Sequence, residues 1–275
     1  MMSMETVNAI IKDMEEKIAA KTVDPAYTSE EDLKVGVDLG TSNIVLTVLN
    51  KENQPVTGAL EAAQVVKDGI VVDFINAVTI VKRLKAQVEE KLGFSLHKAA
   101  TAIPPGISEG NVKVITNVVE ACDFSVCNVI DEPAAAAKLL NIENGAVVDI
   151  GGGTTGISVI KNGVVEYSAD EATGGHHLTL VVAGSMHLSY EEAEKYKKNP
   201  HNRNIIFPLV RPVIEKMAEI TKRNISKDTR TIYLVGGTCC LEGIEAVFQK
   251  YTSLPAIKPY HPLLVTPIGI AMAAV

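Results

Sequence analysis

The sequence contains no tryptophan and only 7 Tyr and 5 Phe among 275 residues, too few for the stacked aromatic platforms of single-strand nucleic-acid binders. Positive charge is scarce as well. Lys and Arg number 26 against 33 Asp and Glu, a net charge of −7, and no basic run offers a footprint for nucleic acid or anionic lipid. No apolar run approaches the roughly 18 residues of a membrane-spanning helix. The N-terminus, Met-Met-Ser-Met-Glu-Thr, lacks the apolar stretch of a signal peptide, so a cytoplasmic protein is expected. The four cysteines, Cys122, Cys127, Cys239 and Cys240, include no Cys-x-x-Cys pair. Four reduced, mostly buried thiols are expected, with neither a zinc site nor a disulfide framework.

What is present suffices for a real core: 47% hydrophobic residues against 21% charged. A chain of this length buries about three quarters of the surface it exposes when unfolded, which excludes a disordered or collagen-like protein. Residues 1–33 stand apart from the rest. Val7, Ile10, Ile11, Met14 and Ile18 recur at helical spacing, with Lys12, Asp13, Glu15, Glu16 and Lys17 opposite, and a polar linker containing Pro25 follows. This amphipathic helix either packs back on the body or docks into a partner's groove.

From Lys34 onward strands and helices alternate. Strands are predicted over 35–39, 44–49, 99–103 and 127–130, and helices over 74–92, stopped by Gly93, and over 112–121. Pro133 opens a further helix, at a position where its missing N–H costs nothing. The series then restarts. Val37-Asp38-Leu39-Gly40-Thr41-Ser42-Asn43 returns 111 residues later as Val148-Asp149-Ile150-Gly151-Gly152-Gly153-Thr154-Thr155-Gly156. A duplicated α/β unit predicts two similar lobes with a cleft between them: 34–140, then 141–262, with 263–275 returning to the first.

Each repeat reads as strand, Asp, Gly-rich hydroxylated turn, strand. Glycines let backbone N–H groups converge on an anion, and Thr41, Ser42, Thr154 and Thr155 add hydroxyls. An Asp beside a phosphate cradle is repelled by it unless a cation intervenes, so Asp38 and Asp149 imply Mg²⁺. Gly151-x-Gly153-x-x-Gly156 matches the dinucleotide fingerprint formally, but that motif requires a helix next, and Ile157-Ser-Val-Ile reads as a strand. No P-loop motif is present. Adjacent His176 and His177 point apart on any regular element, so a surface or hinge role is expected and not a metal site.

The two tips resemble the phosphate-1 and phosphate-2 loops of the actin-like ATPase superfamily, which includes DnaK-type chaperones, sugar kinases and the MreB and FtsA bacterial actins. Other signatures follow in order. Asp131-Glu132-Pro133 and the alanines to Ala137 resemble the first connecting helix, Leu234-Val235-Gly236-Gly237-Thr238 the adenosine loop, and Thr266-Pro267-Ile268-Gly269-Ile270-Ala271 the second connecting helix. The 67–74 and 102–106 segments are also similar to MreB and DnaK. The resemblance implies an α/β, two-lobed actin-like fold, a duplicated ribonuclease-H-like architecture with reduced insertions and an N-terminal helical extension. It implies ATP or ADP with Mg²⁺ held by Asp38 and Asp149 through water, and a catalytic role for these two with Glu132, which organises the attacking water. Gly40, Thr41, Ser42, Asn43, Gly151, Gly152, Gly153, Thr154 and Thr155 would hold phosphates. Gly174, Gly175, Glu215, Lys216, Gly236, Gly237 and Thr238 would line the adenosine.

There are two departures from that pattern. The acid that relatives carry after Gly-Gly-Gly-Thr-x is Gly156 here, which favours slow hydrolysis or binding without turnover. Residues 49–65 read as only a short connection where relatives carry a subdomain, and 198–212 as a trimmed insertion. A filament is therefore not expected. With no chain after Val275 for a substrate domain or membrane-targeting helix, neither a peptide-holding chaperone nor FtsA-like membrane attachment is expected. Stretches at 67–82, 148–160, 167–177 and 191–196 are similar to the EutJ family of ethanolamine utilisation. That family is regarded as chaperone-like ATPases of the ethanolamine microcompartment. The resemblance implies a slow ATPase assisting assembly or reactivation of ethanolamine utilisation enzymes or shell proteins, ethanolamine ammonia-lyase among them. The alternative is a non-hydrolysing nucleotide-sensing scaffold of the same system.

Overall fold

The computed structural model describes residues 3–23, 27–67 and 69–275; Met1 and Met2, Pro25 of the linker and Asp68 of the 67–74 segment lie outside the described residues. The chain divides into two units, Met1–Glu143 with Pro259–Val275, and Asn144–Lys258.

In the first unit, Ser3 accepts the Thr6 N–H at 3.2 Å and starts α1 (Met4–Ala19), whose Val7, Ile10, Ile11 and Met14 are buried. An antiparallel meander follows, β1 (Leu33–Leu39), β2 (Asn43–Asn50) and β3 (Pro55–Ala62), then a two-strand ribbon of β4 (Val66–Lys67) and β5 (Ile70–Val71). Asp73 caps α2 (Phe74–Leu92), which ends at Gly93 with φ 80°, a conformation that costs glycine little. Next come β6 (Lys98–Ile103), α3 (Glu109–Glu120), β7 (Ser125–Asp131) and α4 (Glu132–Leu140). The sheet order is β3-β2-β1-β6-β7, with β1, β6 and β7 parallel.

The second unit repeats this plan. β8 (Asn144–Ile150), β9 (Thr155–Lys161) and β10 (Val164–Glu171) form the meander. α5 (Gly175–Met186), α6 (Tyr190–Lys198) and α7 (Arg203–Asn224) precede β11 (Ile232–Val235), α8 (Ile244–Thr252) and β12 (Ala256–Ile257). The order is β10-β9-β8-β11-β12, with β8, β11 and β12 parallel. α9 (Val265–Met272) belongs to the first unit. Among the described residues, no helix is long and apolar enough to cross a membrane.

One face of the first sheet packs Val35, Val37, Ile44 and Leu46 against Ile80, Leu84 and Val118 of α2 and α3. α9 lies against β1 and crosses α4, with Ala100, Ala102, Ala135, Ile270 and Ala274 between them. Gly269 comes so close to α4 that a Cβ there would overlap the Ala135 carbonyl. α1 lies against β3, with Met14 and Ile18 over Gly58. The Lys91 ammonium reaches the carbonyls of both Ile18 and Gly58, at 3.1 and 3.2 Å. The apolar stripe of α1 is thus spent inside its own unit, which removes the reason to read it as a docking peptide. Residues 49–65, read from the sequence as a short connection, contain β3, a strand of the main sheet. Pro55, Gly58 and the irregular register at Val48/Leu49 obscure its alternation. Only Cys122 and Cys239 of the four free thiols are buried, and Cys240 is exposed.

In the second unit α6 is tied to the first turn of α5 by a polar cluster. Lys197 Nζ lies 2.7 Å from Glu194, 2.7 Å from Thr179 Oγ1 and 3.1 Å from the Gly175 carbonyl. Thr179 Oγ1 also bonds to Glu194. Burial pushes the Glu194 carboxyl up, but Lys197 and the hydrogen bonds around it outweigh burial and hold it at about 2. For Lys197 burial dominates, and its ammonium is lowered.

Two measurements follow from this packing. Helix propensity favours Ala over Gly by about 1 kcal/mol, yet the α4 backbone cannot step aside as a side chain does. Gly269→Ala is therefore expected to cost about 1–3 kcal/mol and to lower Tm by several degrees; a raised or unchanged Tm would show that α4 and α9 separate freely. Glu194, depressed in the folded state, contributes stability that is complete above its unfolded value of 4.5 and is lost as pH falls towards about 2. The Tm gap between wild type and Glu194→Gln should hold from about pH 7 to about pH 5 and then shrink in more acid solution. A gap independent of pH would contradict the pairing.

Candidate functional site

The repeat seen in the sequence becomes two superimposable registers. Leu39 pairs with Ile44, and Ile150 with Thr155, so each hairpin closes through a four-residue loop. These loops are Gly40-Thr41-Ser42-Asn43 and Gly151-Gly152-Gly153-Thr154. Asp38 and Asp149 occupy the same place, each one residue before the closing pair, opposite Val45 and Gly156 respectively. Both carboxylates are half-buried.

The register corrects one assignment. Thr155 corresponds to Ile44 and shares the core face with Ile150, because side chains alternate along a strand and Asp149 and Gly156 take the other face. It is fully buried, and its hydroxyl donates to the Thr173 carbonyl at 2.5 Å. That hydroxyl anchors the segment entering α5 and is not a phosphate donor.

Around the second loop three chain segments converge. The Gly151 carbonyl accepts from Gly175 N at 3.0 Å and from Thr238 Oγ1 at 2.8 Å, and the Gly152 carbonyl accepts from His176 N at 2.8 Å. In a planar trans peptide the N–H opposes the C=O. With those carbonyls turned onto α5, the N–H groups of Gly152 and Gly153 point the other way, where an anion can take them. This docking requires the Gly174-Gly175 pair. A Cβ on Gly174 would lie 2.6 Å from the Gly152 oxygen, and one on Gly175 would overlap Thr238 Oγ1. Gly236, at φ 89°, passes so close to Asp149 that a side chain would collide with its carboxylate. Gly237 and Thr238 continue into a 3-10 turn ending at Cys240. Burial pushes the Cys239 thiol up, and the nearby Asp149 charge adds to the effect.

In the first unit the loop is anchored through Ser42, whose carbonyl accepts from Ala63 N at 3.1 Å. Asp38 is the penultimate residue of β1, and Glu132 opens α4 directly after β7, with Pro133 next. Because β1, β6 and β7 are parallel neighbours, the first loop and Glu132 share the carboxyl edge of that sheet, about 10 Å apart by strand spacing. Open α/β sheets bind ligands at that edge. Glu132 also complements the positive end of α4.

The remaining predicted residues are placed differently. Glu215 on α7 is bound by Arg211 at 2.9 Å, and hydrogen bonds from Arg211 and then Tyr251 hold its carboxyl below the usual range. Lys216 beside it is exposed. The visible partners of Glu215 are therefore on α7 and α8. His176 Nδ1 meets the Tyr190 hydroxyl, while His177 Nδ1 accepts the Gly174 N–H at 3.3 Å, so the two rings diverge. Sequence reasoning missed the Glu194–Lys197–Thr179 cluster that steadies α5. Its only sequence signal was an acid and a lysine three residues apart, a pattern common on solvated helix faces.

The MreB/Mbl protein family matches residues 54–199, and the family Cell division protein FtsA matches residues 146–271. Ethanolamine utilization protein EutJ of Salmonella typhimurium is 46% identical over 258 residues, covering 93% of this chain and 91% of that protein. The crystal structure of EutJ from Carboxydothermus hydrogenoformans matches with a TM-score of 0.91 and 46% identity over 98% of each chain. MreB 5 of Spiroplasma citri bound to AMPPNP matches with a TM-score of 0.70 at 16% identity, covering 89% of this chain and 96% of that one; at that identity the likeness concerns the fold alone. With the duplicated actin-like fold in place and 46% identity across more than nine tenths of its length, the chain belongs to the EutJ family of ethanolamine utilization proteins.

Proposed function

We propose that this chain binds Mg·ATP, hydrolyses it slowly, and uses the nucleotide state in chaperone-like assistance to ethanolamine utilization proteins. One observation carries the nucleotide reading: the second loop turns its Gly151 and Gly152 carbonyls onto α5 and Thr238, leaving backbone N–H groups for an anion beside the Asp149 carboxylate. A carboxylate next to an anion cradle is tolerable with a divalent cation between them. The close passage of Gly236 along Asp149 and Ile150, where a Cβ would collide with both, brings the turn after β11 beside the second loop, a position that suits an adenosine-binding turn.

In this reading Asp38 and Asp149 hold Mg²⁺ through water, and Gly40, Thr41, Ser42 and Asn43 with Gly151, Gly152, Gly153 and Thr154 hold the phosphates. Glu132 orients the attacking water, and Gly236 with Gly237 accommodates the adenosine. The metal, when bound, neutralises charge on the phosphates. Thr238 and the Gly174-Gly175 pair act by fixing the second loop, and Thr155 by fixing the strand beneath it. Membership of the EutJ family supports clients among ethanolamine utilization enzymes or microcompartment shell proteins, and the DnaK-like motifs support a chaperone-like mode.

A second reading, nucleotide sensing without turnover, is favoured by Gly156, which leaves the strand after the second loop without a carboxylate of its own. Steady-state phosphate release by the purified protein separates the two: release that disappears in Glu132→Gln supports the ATPase, and none above background supports the sensor.

The nucleotide site itself is tested by melting the wild type and Asp38→Ala with ADP or ATP, with and without Mg²⁺. Ligand at a hundred times its Kd stabilises the native state by about 2.7 kcal/mol, a shift of several degrees at this size. A Mg²⁺-dependent shift in the wild type that vanishes in the variant is expected. No shift with any nucleotide would overturn the reading.

A further inference from the structure

The second unit carries one feature that its own duplicate lacks. Asp149, Gly156 and Asp170 stand directly opposite one another across β8, β9 and β10. Residues directly opposite in an antiparallel sheet project from the same face, as the Ser158–Ser168 hydroxyl pair at 2.8 Å shows two residues further along. Gly156 is not demanded by close packing. A Cβ there would meet only ordinary contacts, and the nearest atom is Asp170 Oδ1 at 3.6 Å. The Asp170 side chain leans over the space that Gly156 leaves, while Asp149 leans the other way, towards Gly236.

The first unit supplies the internal control. Its equivalent row is Asp38, Val45 and Leu60, with Val45 buried. An apolar side chain is therefore packed at the first of these positions, while the second is exposed in both units, at Leu60 and at Asp170. The second unit instead pairs a gap with a second carboxylate, exposed to solvent, on the same face as Asp149. A second carboxylate on this face, beside an anion cradle, is suited to the water shell of a cation that accompanies the anion.

We infer that Asp170 is the second carboxylate of the second loop's half of the nucleotide site, reaching across the sheet into the space over Gly156 to hold the water shell of the divalent cation. This rests on the Mg·ATP reading above. In it, Asp149 and Asp170 are outer-shell acceptors on either side of Gly156, and the strand after the loop needs no acid of its own.

The test is titration calorimetry with ADP, with and without Mg²⁺, on the wild type, Asp170→Asn, and Asp170→Asn combined with Gly156→Asp. Outer-shell partners are worth roughly 10–100-fold in metal affinity, so Asp170→Asn is expected to weaken Mg·ADP binding at least about tenfold while leaving Mg-free ADP unchanged or tighter. Gly156→Asp, which restores a carboxylate to the same space, should recover most of that loss. Equal Mg·ADP affinity in Asp170→Asn and wild type would overturn the inference and leave the nucleotide reading intact. Equal loss with and without Mg²⁺ would overturn it too, by assigning Asp170 a purely structural role, as would failure of Gly156→Asp to restore binding in a protein that melts like the wild type. A wild type that binds no ADP would bring down both.

Discussion

The docking of α5 onto the second loop is the constraint on which the rest of the second unit depends. The first two N–H groups of a helix have no partner within it, and here Gly175 N and His176 N find theirs in the Gly151 and Gly152 carbonyls. That exchange satisfies the helix end and orients the loop peptides at once. It tolerates no side chain at Gly174 or Gly175. The neighbouring contacts reinforce it: Thr238 from the turn after β11, Thr155 beneath, and Lys197 with Glu194 from α6. Each secures either the loop or the helix that grips it.

Much of this was legible in the sequence, for reasons that can be named. α2 was predicted over its observed span because its apolar period, Gly93 stop and length agree. The duplicated Asp-plus-loop motif was legible because both hairpins use the same short connection. Thr155 was misassigned because a linear motif does not say which face a residue takes until register is known. One step along a strand separates a loop hydroxyl from a core one. Asp170 was invisible as a site residue for a related reason. It lies 21 residues after Asp149, and a register irregularity between Val165 and Tyr167 intervenes before the two strands align them.

β3 and the Glu194–Lys197 pair were missed for opposite reasons. β3 contains Pro55 and Gly58, which read as connection, and they are tolerated because β3 is an edge strand and Gly58 admits α1. Glu194 and Lys197 looked like ordinary surface charges. Burial between helices converts them into a fixed pair, and such a pair is costly to leave unmatched. Composition records the residues in both cases; only packing decides their environment.

Duplication turns the molecule into its own comparison. Both units keep an Asp before the loop, the loop length, and the strand order, so these features alone do not distinguish scaffold from function. The positions where the units diverge do. Ile44, Val45 and Leu60 of the first unit correspond to Thr155, Gly156 and Asp170 of the second. Fully burying a Val side chain is worth about 1.5–3 kcal/mol, and the second unit forgoes that at Gly156, whereas Leu60, like Asp170, is exposed. Thr155 is explained by its bond to the segment entering α5. Gly156 is not demanded by close packing, and with Asp170 it leaves an open space between two carboxylates on one face, the arrangement on which the proposed cation role rests.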